Sequence, residues 1–128
     1  MNSSSPGYVP GVCNIGEAEI RQRMRVGWIG LGVTVVLWAL LIFFQAPAWA
    51  RLILVIPAMM SATGFIQGLS HFCAGFGMKG VFNFGTELYK TETVAQAEFR
   101  AKDRRRAQFS ILYSVLAGIA VALIAYLL

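Results

Sequence analysis

Three uncharged apolar runs, residues 26–44, 52–72 and 109–128, set the limits on what this chain can fold into. None contains an Asp, Glu, Lys or Arg. A helix over residues 26–44, at about 1.5 Å per residue, spans roughly 28 Å, close to the thickness of a bilayer's hydrocarbon core. Hydrocarbon offers the backbone no hydrogen-bond partners, so a run of this kind crosses as a helix that satisfies its own amides. Composition agrees. The chain is 57% hydrophobic and 13% charged, where soluble domains carry about 25% charged residues. The expected architecture is an all-α integral membrane protein with three transmembrane helices. It comprises an antiparallel hairpin and a long C-terminal helix, in a single membrane domain over residues 1–128 without internal repeats.

Residues 1–14 read as a polar tail rich in Ser, Pro and Gly, mobile as termini usually are. They show neither the basic-then-apolar order of a secretory signal peptide nor a glycine at position 2 for myristoylation. A first helix is expected over residues 15–44, with Asn14 as N-cap and Glu17 completing a capping box. Glu17 and Glu19 suit the positive end of the helix dipole. Arg21, Arg23 and Arg25 stand where the chain enters lipid, and Trp28 lies near that interface. Gln45, Ala46 and Pro47 predict a tight turn. Trp49 and Arg51 mark the far interface, and the second span, residues 52–72, returns antiparallel to the first. Pro57 predicts a bend in it. Gly64 and Gly68, four residues apart, give it a face for close helix packing.

Residues 73–92 form a loop rich in glycine and aromatic residues. Thr93 and Gln96 predict a second capping box. It opens a basic helix over residues 93–128 that continues into the third span, with Glu98 and Lys102 spaced for an ion pair. Ser110, Ser114, Gly118 and Ala122 recur every four residues as a stripe suited to helix contact. Tyr113 and Tyr126 bracket this span as interface anchors. Of the basic residues only Arg51 lies on the hairpin side; all the others lie in the N-terminal segment or the segment between the second and third spans. By the positive-inside rule the N-terminus faces the cytoplasm and the C-terminus the outside, as a multi-pass protein of a cell's inner membrane.

The residues with chemical potential are Cys13, His71 and Cys73, all on the cytoplasmic side of this threading. That compartment is reducing, which disfavours a disulfide. The three could hold a soft transition metal, with Glu17 or Glu19 as a fourth ligand. Geometry opposes it. In an antiparallel hairpin Cys73 lies level with Ile20, and Cys13 sits about 10 Å deeper unless the tail folds back. His71 and Cys73 converge only if the second helix has already unwound. The plainer reading makes each cysteine a small buried hydrophobe.

Gly75, Gly77 and Gly80 spell GxGxxG, but they follow a membrane helix and no strand pattern surrounds them, so no nucleotide cofactor is expected. They let the chain turn along the membrane surface, with Phe72, Phe76, Phe82 and Phe84 dipping into the interface or packing on the helices. Lys79, Lys102, Arg104, Arg105 and Arg106 are candidates for contact with anionic lipid headgroups. Nucleic acid is a poorer fit, because the basic run is short, broken by Asp103 and directly beside the membrane. The spans contain no Asp, Glu, Lys or Arg, and only Gln67, His71 and some hydroxyls offer polar handles, which disfavours a transporter or pump. No Ser-His-Asp set, paired carboxylates or metalloprotease helix is present, and the pattern leans away from an enzyme. The function expected is a non-enzymatic accessory or assembly subunit that packs on other membrane chains or on itself through Gly64, Gly68, Ser114, Gly118 and Ala122. The alternatives are a thiol or metal site built from Cys13, His71 and Cys73, and an anionic-lipid-binding role.

Overall fold

The computed structural model describes residues 7–128; residues 1–6 of the expected tail lie outside the described residues. The elements in chain order are α1 (Glu17–Phe43), a 3-10 helix (Ala48–Leu54), α2 (Val55–Ser70), α3 (Ala74–Lys79), β1 (Val81–Phe82), β2 (Glu92–Thr93) and α4 (Ala97–Leu127). Three helical stretches are long and apolar enough to cross a membrane: Glu17–Phe43, Ala48–Ser70 and Ala97–Leu127. They match the three apolar runs.

Helix α2 lies between α1 and α4 and packs on both. Its pairing with α1 is antiparallel: Gly68 meets Met24, Gly64 meets Gly27, and Ser61 meets Gly30. Gly64 has no room for a side chain. A Cβ there would overlap the Gly27 backbone and lie 2.6 Å from the carbonyl oxygen of Arg23. The Ser61 hydroxyl donates to the Gly27 carbonyl at 2.8 Å, tying the two helices where they are closest. On the other side of α2, Gly118 of α4 sits against Met59 and the Val55 carbonyl. Ser110, Ser114, Gly118 and Ala122 are all buried. The small-residue faces are therefore consumed inside the chain, where close backbone approach maximises dispersion contacts.

Five local expectations need correction. Helix α1 begins at Glu17 with Gly16 in the cap position and no side-chain cap. Asn14 cannot cap it, because its amide is committed to the backbone of Cys73. Helix α4 begins at Ala97 and not at residue 93. Thr93 instead pairs with Val81 in a two-stranded antiparallel ladder, so the fold is not purely helical. Pro57 does not stand in the interior of an α-helix. It stands in the first turn of α2, where a missing N–H breaks no α-helical bond. The Glu98–Lys102 pair is not among the ion pairs of the described residues. Finally, residues 8–15 are not a free tail. Tyr8, Asn14 and Ile15 are buried, and Ile15 forms a parallel bridge with Asn83.

These pieces make a small cap at one end of the bundle. Residues 7–16, α3, the β1–β2 hairpin and the first turns of α4 fold over the start of α1 and the end of α2. Tyr8, Phe82 and Val94 form one apolar nucleus, with Phe84 and Phe99 against it. Ile15, Cys73 and Phe76 form a second, and Phe72, Ala74 and Ala107 a third.

Candidate functional site

The cap holds most of the chain's polar chemistry, and two buried arrangements organise it. Helix α2 stops at Ser70 because His71 takes a left-handed conformation, φ 60°. That turn aims the next backbone groups at Asn14. The Asn14 side chain donates to the Cys73 carbonyl at 3.1 Å and accepts from the Cys73 amide at 2.7 Å. The Asn14 backbone N–H donates to the His71 carbonyl, and its carbonyl accepts from the Asn83 N–H. The segment before α1 thus folds back, and Asn14 acts as a clasp where Asp or Ala would leave a buried backbone group unpaired.

Arg23 and Glu19, one turn apart on α1, form a buried ion pair at 2.7 Å. Arg23 also donates through Nε to Gln67 at 3.1 Å and through Nη2 to the Cys73 sulfur at 3.1 Å. Its guanidinium lies 5.5 Å from the ring centres of both Phe76 and Tyr89. Burial works against the charge, but the bond to Cys73 and then the Glu19 carboxylate outweigh it, and the Arg23 pKa stands above its ordinary value. Glu19 has its second oxygen occupied by the Asn83 amide at 2.8 Å and by the Tyr89 N–H. A buried pair of this kind persists only when every remaining donor and acceptor is met. Arg23 is therefore part of the cap's interior and not a lipid-facing charge.

The second arrangement joins the two ends of the sequence. The Tyr8 hydroxyl donates to Asp103 at 2.6 Å, and the Gly11 N–H donates to its other oxygen at 2.7 Å. Burial, reinforced by the bond to Asp103, pushes the Tyr8 phenol well above its ordinary value. Burial also raises Asp103, although the bonds from Tyr8 and Gly11 oppose the shift. Asp103 does not merely interrupt a basic run. It is the docking point for the N-terminal segment.

The proposed metal ligands are not brought together. Cys73 points at Arg23, the Cys13 thiol donates to the Gly7 carbonyl at 2.7 Å, and His71 is exposed. Among the described residues no three His, Cys, Asp or Glu side chains form a group that could hold a metal ion. Gly75 and Gly77 lie inside α3, and Gly80 ends it with φ 75°, so the GxGxxG shapes a short helix. Phe72, Phe76 and Phe82 are buried in the cap and do not dip toward lipid. Of the basic candidates, Lys79, Lys102, Arg104 and Arg105 are exposed. Arg106 is drawn inward, 5.7 Å from the Phe72 ring centre.

Sequence reasoning missed the Glu19–Arg23 pair, the Asn14 clasp and the Tyr8–Asp103 dock. A signal for the first was present, since Glu precedes Arg by four residues on a helix. No local spacing announces the other two, whose partners lie 59 and 95 residues apart. No family model, curated protein or solved structure matches this chain.

Proposed function

We propose that this chain is a non-enzymatic accessory or assembly subunit of a membrane complex, or the protomer of a homo-oligomer. In this reading it sits in a cell's inner membrane with the cap on the cytoplasmic side. The observation that carries the proposal is the uncovered flank of α1. Of the three candidate spans it has the smallest share buried within the chain. Arg23, Gly27, Gly30 and Thr34 form its buried side. Ile29, Val33, Val36, Leu40 and Phe43 are exposed and recur at alternating steps of four and three, which aligns them along one flank. In lipid, such a flank gains from a second helix through close packing.

The small residues expected to meet a partner are already in use, so the contact surface moves from Gly64, Gly68, Ser114, Gly118 and Ala122 to the large residues of α1. The chemistry-bearing side chains support the same reading. Arg23, Glu19, Asn14 and Cys73 bind one another inside the cap, which suits architecture better than turnover. A second role is favoured by the exposure of Lys79, Lys102, Arg104 and Arg105, which can meet anionic headgroups at about 1 kcal/mol each.

A photo-crosslinking residue placed at Val33 or Val36 in intact membranes tests the proposal. It predicts adducts of defined higher mass from both positions, and none from Gly30, which faces α2. Lipid adducts alone from Val33 and Val36 would overturn it.

A further inference from the structure

Helices α1 and α4 each pack extensively on α2 but not on each other. Between them lies a cavity of about 400 Å³, within the usual range of ligand pockets, about 300–1,000 Å³. Its walls are Leu31, Val35 and Trp38 from α1 and Val121 and Ile124 from α4. Its floor is α2, where Ala58, Ser61 and Ala62 are too small to fill the gap. Four wall residues (Leu31, Val35, Val121 and Ile124) are also solvent-exposed, so the cleft opens sideways, toward lipid. The hydroxyls along it are silent. Thr34 donates to the Gly30 carbonyl and Ser61 to the Gly27 carbonyl. What remains is an apolar trough shaped for a hydrocarbon chain.

Among the described residues, two donors beside the trough, the Trp38 indole Nε1 and the Arg51 Nε, are enclosed within the protein and have no hydrogen-bond acceptor. Arg51 sits at the hairpin end of the cleft, its Nη1 held by the carbonyl of the wall residue Ala125 at 3.2 Å. It also has no acidic side chain near it. The six acidic residues are Glu17, Glu19, Glu87, Glu92, Glu98 and Asp103, all at the cap end of the helices or in the cap itself.

We propose that the cleft between α1 and α4 holds one acyl chain of an anionic phospholipid whose phosphate is bound by Arg51. The trough supplies the apolar contact. Arg51 supplies the charge and the planar donor set that phosphate oxygens match. A transmembrane helix is a poorer occupant, because its carbonyls are spent on its own hydrogen bonds. It would bring no anionic group to Arg51. The lipid site lies on the opposite flank of α1 from Ile29, Val33, Val36 and Leu40, so it stands whether or not that flank binds a partner.

The test is native mass spectrometry of the full chain in mild detergent, titrated with phosphatidylglycerol or with phosphatidylcholine. The wild type retains one phosphatidylglycerol under activation that strips phosphatidylcholine. Arg51→Gln lowers that preference by roughly fivefold, the worth of one basic residue beside an anionic lipid. Ala62→Leu, which fills the floor, lowers retention of both lipids. Three results overturn the proposal. One is equal retention of the two lipids by the wild type. Another is a preference unchanged in Arg51→Gln but lost in Arg104→Gln/Arg105→Gln, which moves the lipid to the basic arm. The third is a wild-type dimer that Ala62→Leu dissociates, which gives the cleft to a second copy. If Ala62→Leu fails to accumulate, the arginine variants decide alone.

Discussion

Removing the Arg23 guanidinium by Arg23→Met tests whether the buried pair holds the cap together. The side chain makes three hydrogen bonds, to Glu19, Gln67 and Cys73, and packs against the Phe76 and Tyr89 rings. Methionine keeps much of the volume and loses the charge. Glu19, fully buried, would keep only the Asn83 amide and the Tyr89 N–H. Breaking a buried pair by deleting one partner costs about 3–5 kcal/mol, because the surviving charge is stranded. Replacing both partners strands nothing. Arg23→Met with Glu19→Gln should therefore cost less than Arg23→Met alone, with a coupling of roughly 2 kcal/mol or more. The assay is reversible unfolding in mixed detergent micelles, read by helix content and by maleimide labelling of Cys73. In the wild type Cys73 is 5% exposed and should label slowly; in Arg23→Met it should label fast. If the single costs simply add, and each stays below about 1 kcal/mol, the pair behaves like a surface ion pair. The cap would then not depend on it.

Other consequences follow from the same contacts. Gly64→Val should force α1 and α2 apart and destabilise the bundle by about 1–3 kcal/mol, measured by the same unfolding titration. Tyr8→Phe and Asp103→Asn should each release residues 7–13, seen as faster proteolysis of that segment and faster labelling of Cys13. The dock should also respond to pH. The Tyr8 phenol is raised above its ordinary 10.0 in the folded chain, so the folded state holds that proton more tightly than the unfolded state. Its contribution is complete below pH 10 and is lost as pH rises through the raised value. Asp103, raised above 3.8, has the same sign: its contribution is complete below pH 3.8 and falls as pH rises through its own raised value. Stability measured from pH 9 upward should decline in the wild type, and Tyr8→Phe should flatten that decline.

The three helices were legible because uncharged runs of bilayer length leave the backbone few alternatives. The antiparallel register of α1 and α2 was legible for a similar reason, since the short connection after Phe43 allows little else. Helix starts were harder. Asn14 and Thr93 carry the local marks of caps, yet Asn14 is claimed by the Cys73 backbone and Thr93 by a strand partner, and tertiary hydrogen bonds outweighed the capping preference. The end of α2 at His71 was invisible, because a left-handed histidine has no composition signal. The small-residue stripes were recognised as packing faces, but spacing along one helix does not say whether the opposing backbone belongs to the same chain. For Gly64 and Gly118 it does. The cap's polar interior escaped for the opposite reason. Tyr8 and Asp103 each look like solvent-facing polar residues in sequence, and only the fold gives them to one another.

The particle mass of the full chain in mild detergent, taken by light scattering from protein purified out of its own membranes, addresses the assembly role most directly. An assembly subunit should run as a defined multiple of one chain or together with a second chain. Cys73→Ser should leave that mass unchanged, because Cys73 serves the cap's packing. A lone wild-type chain, together with a bound metal that disappears in Cys73→Ser, would contradict the assembly reading and return Cys73 to chemistry.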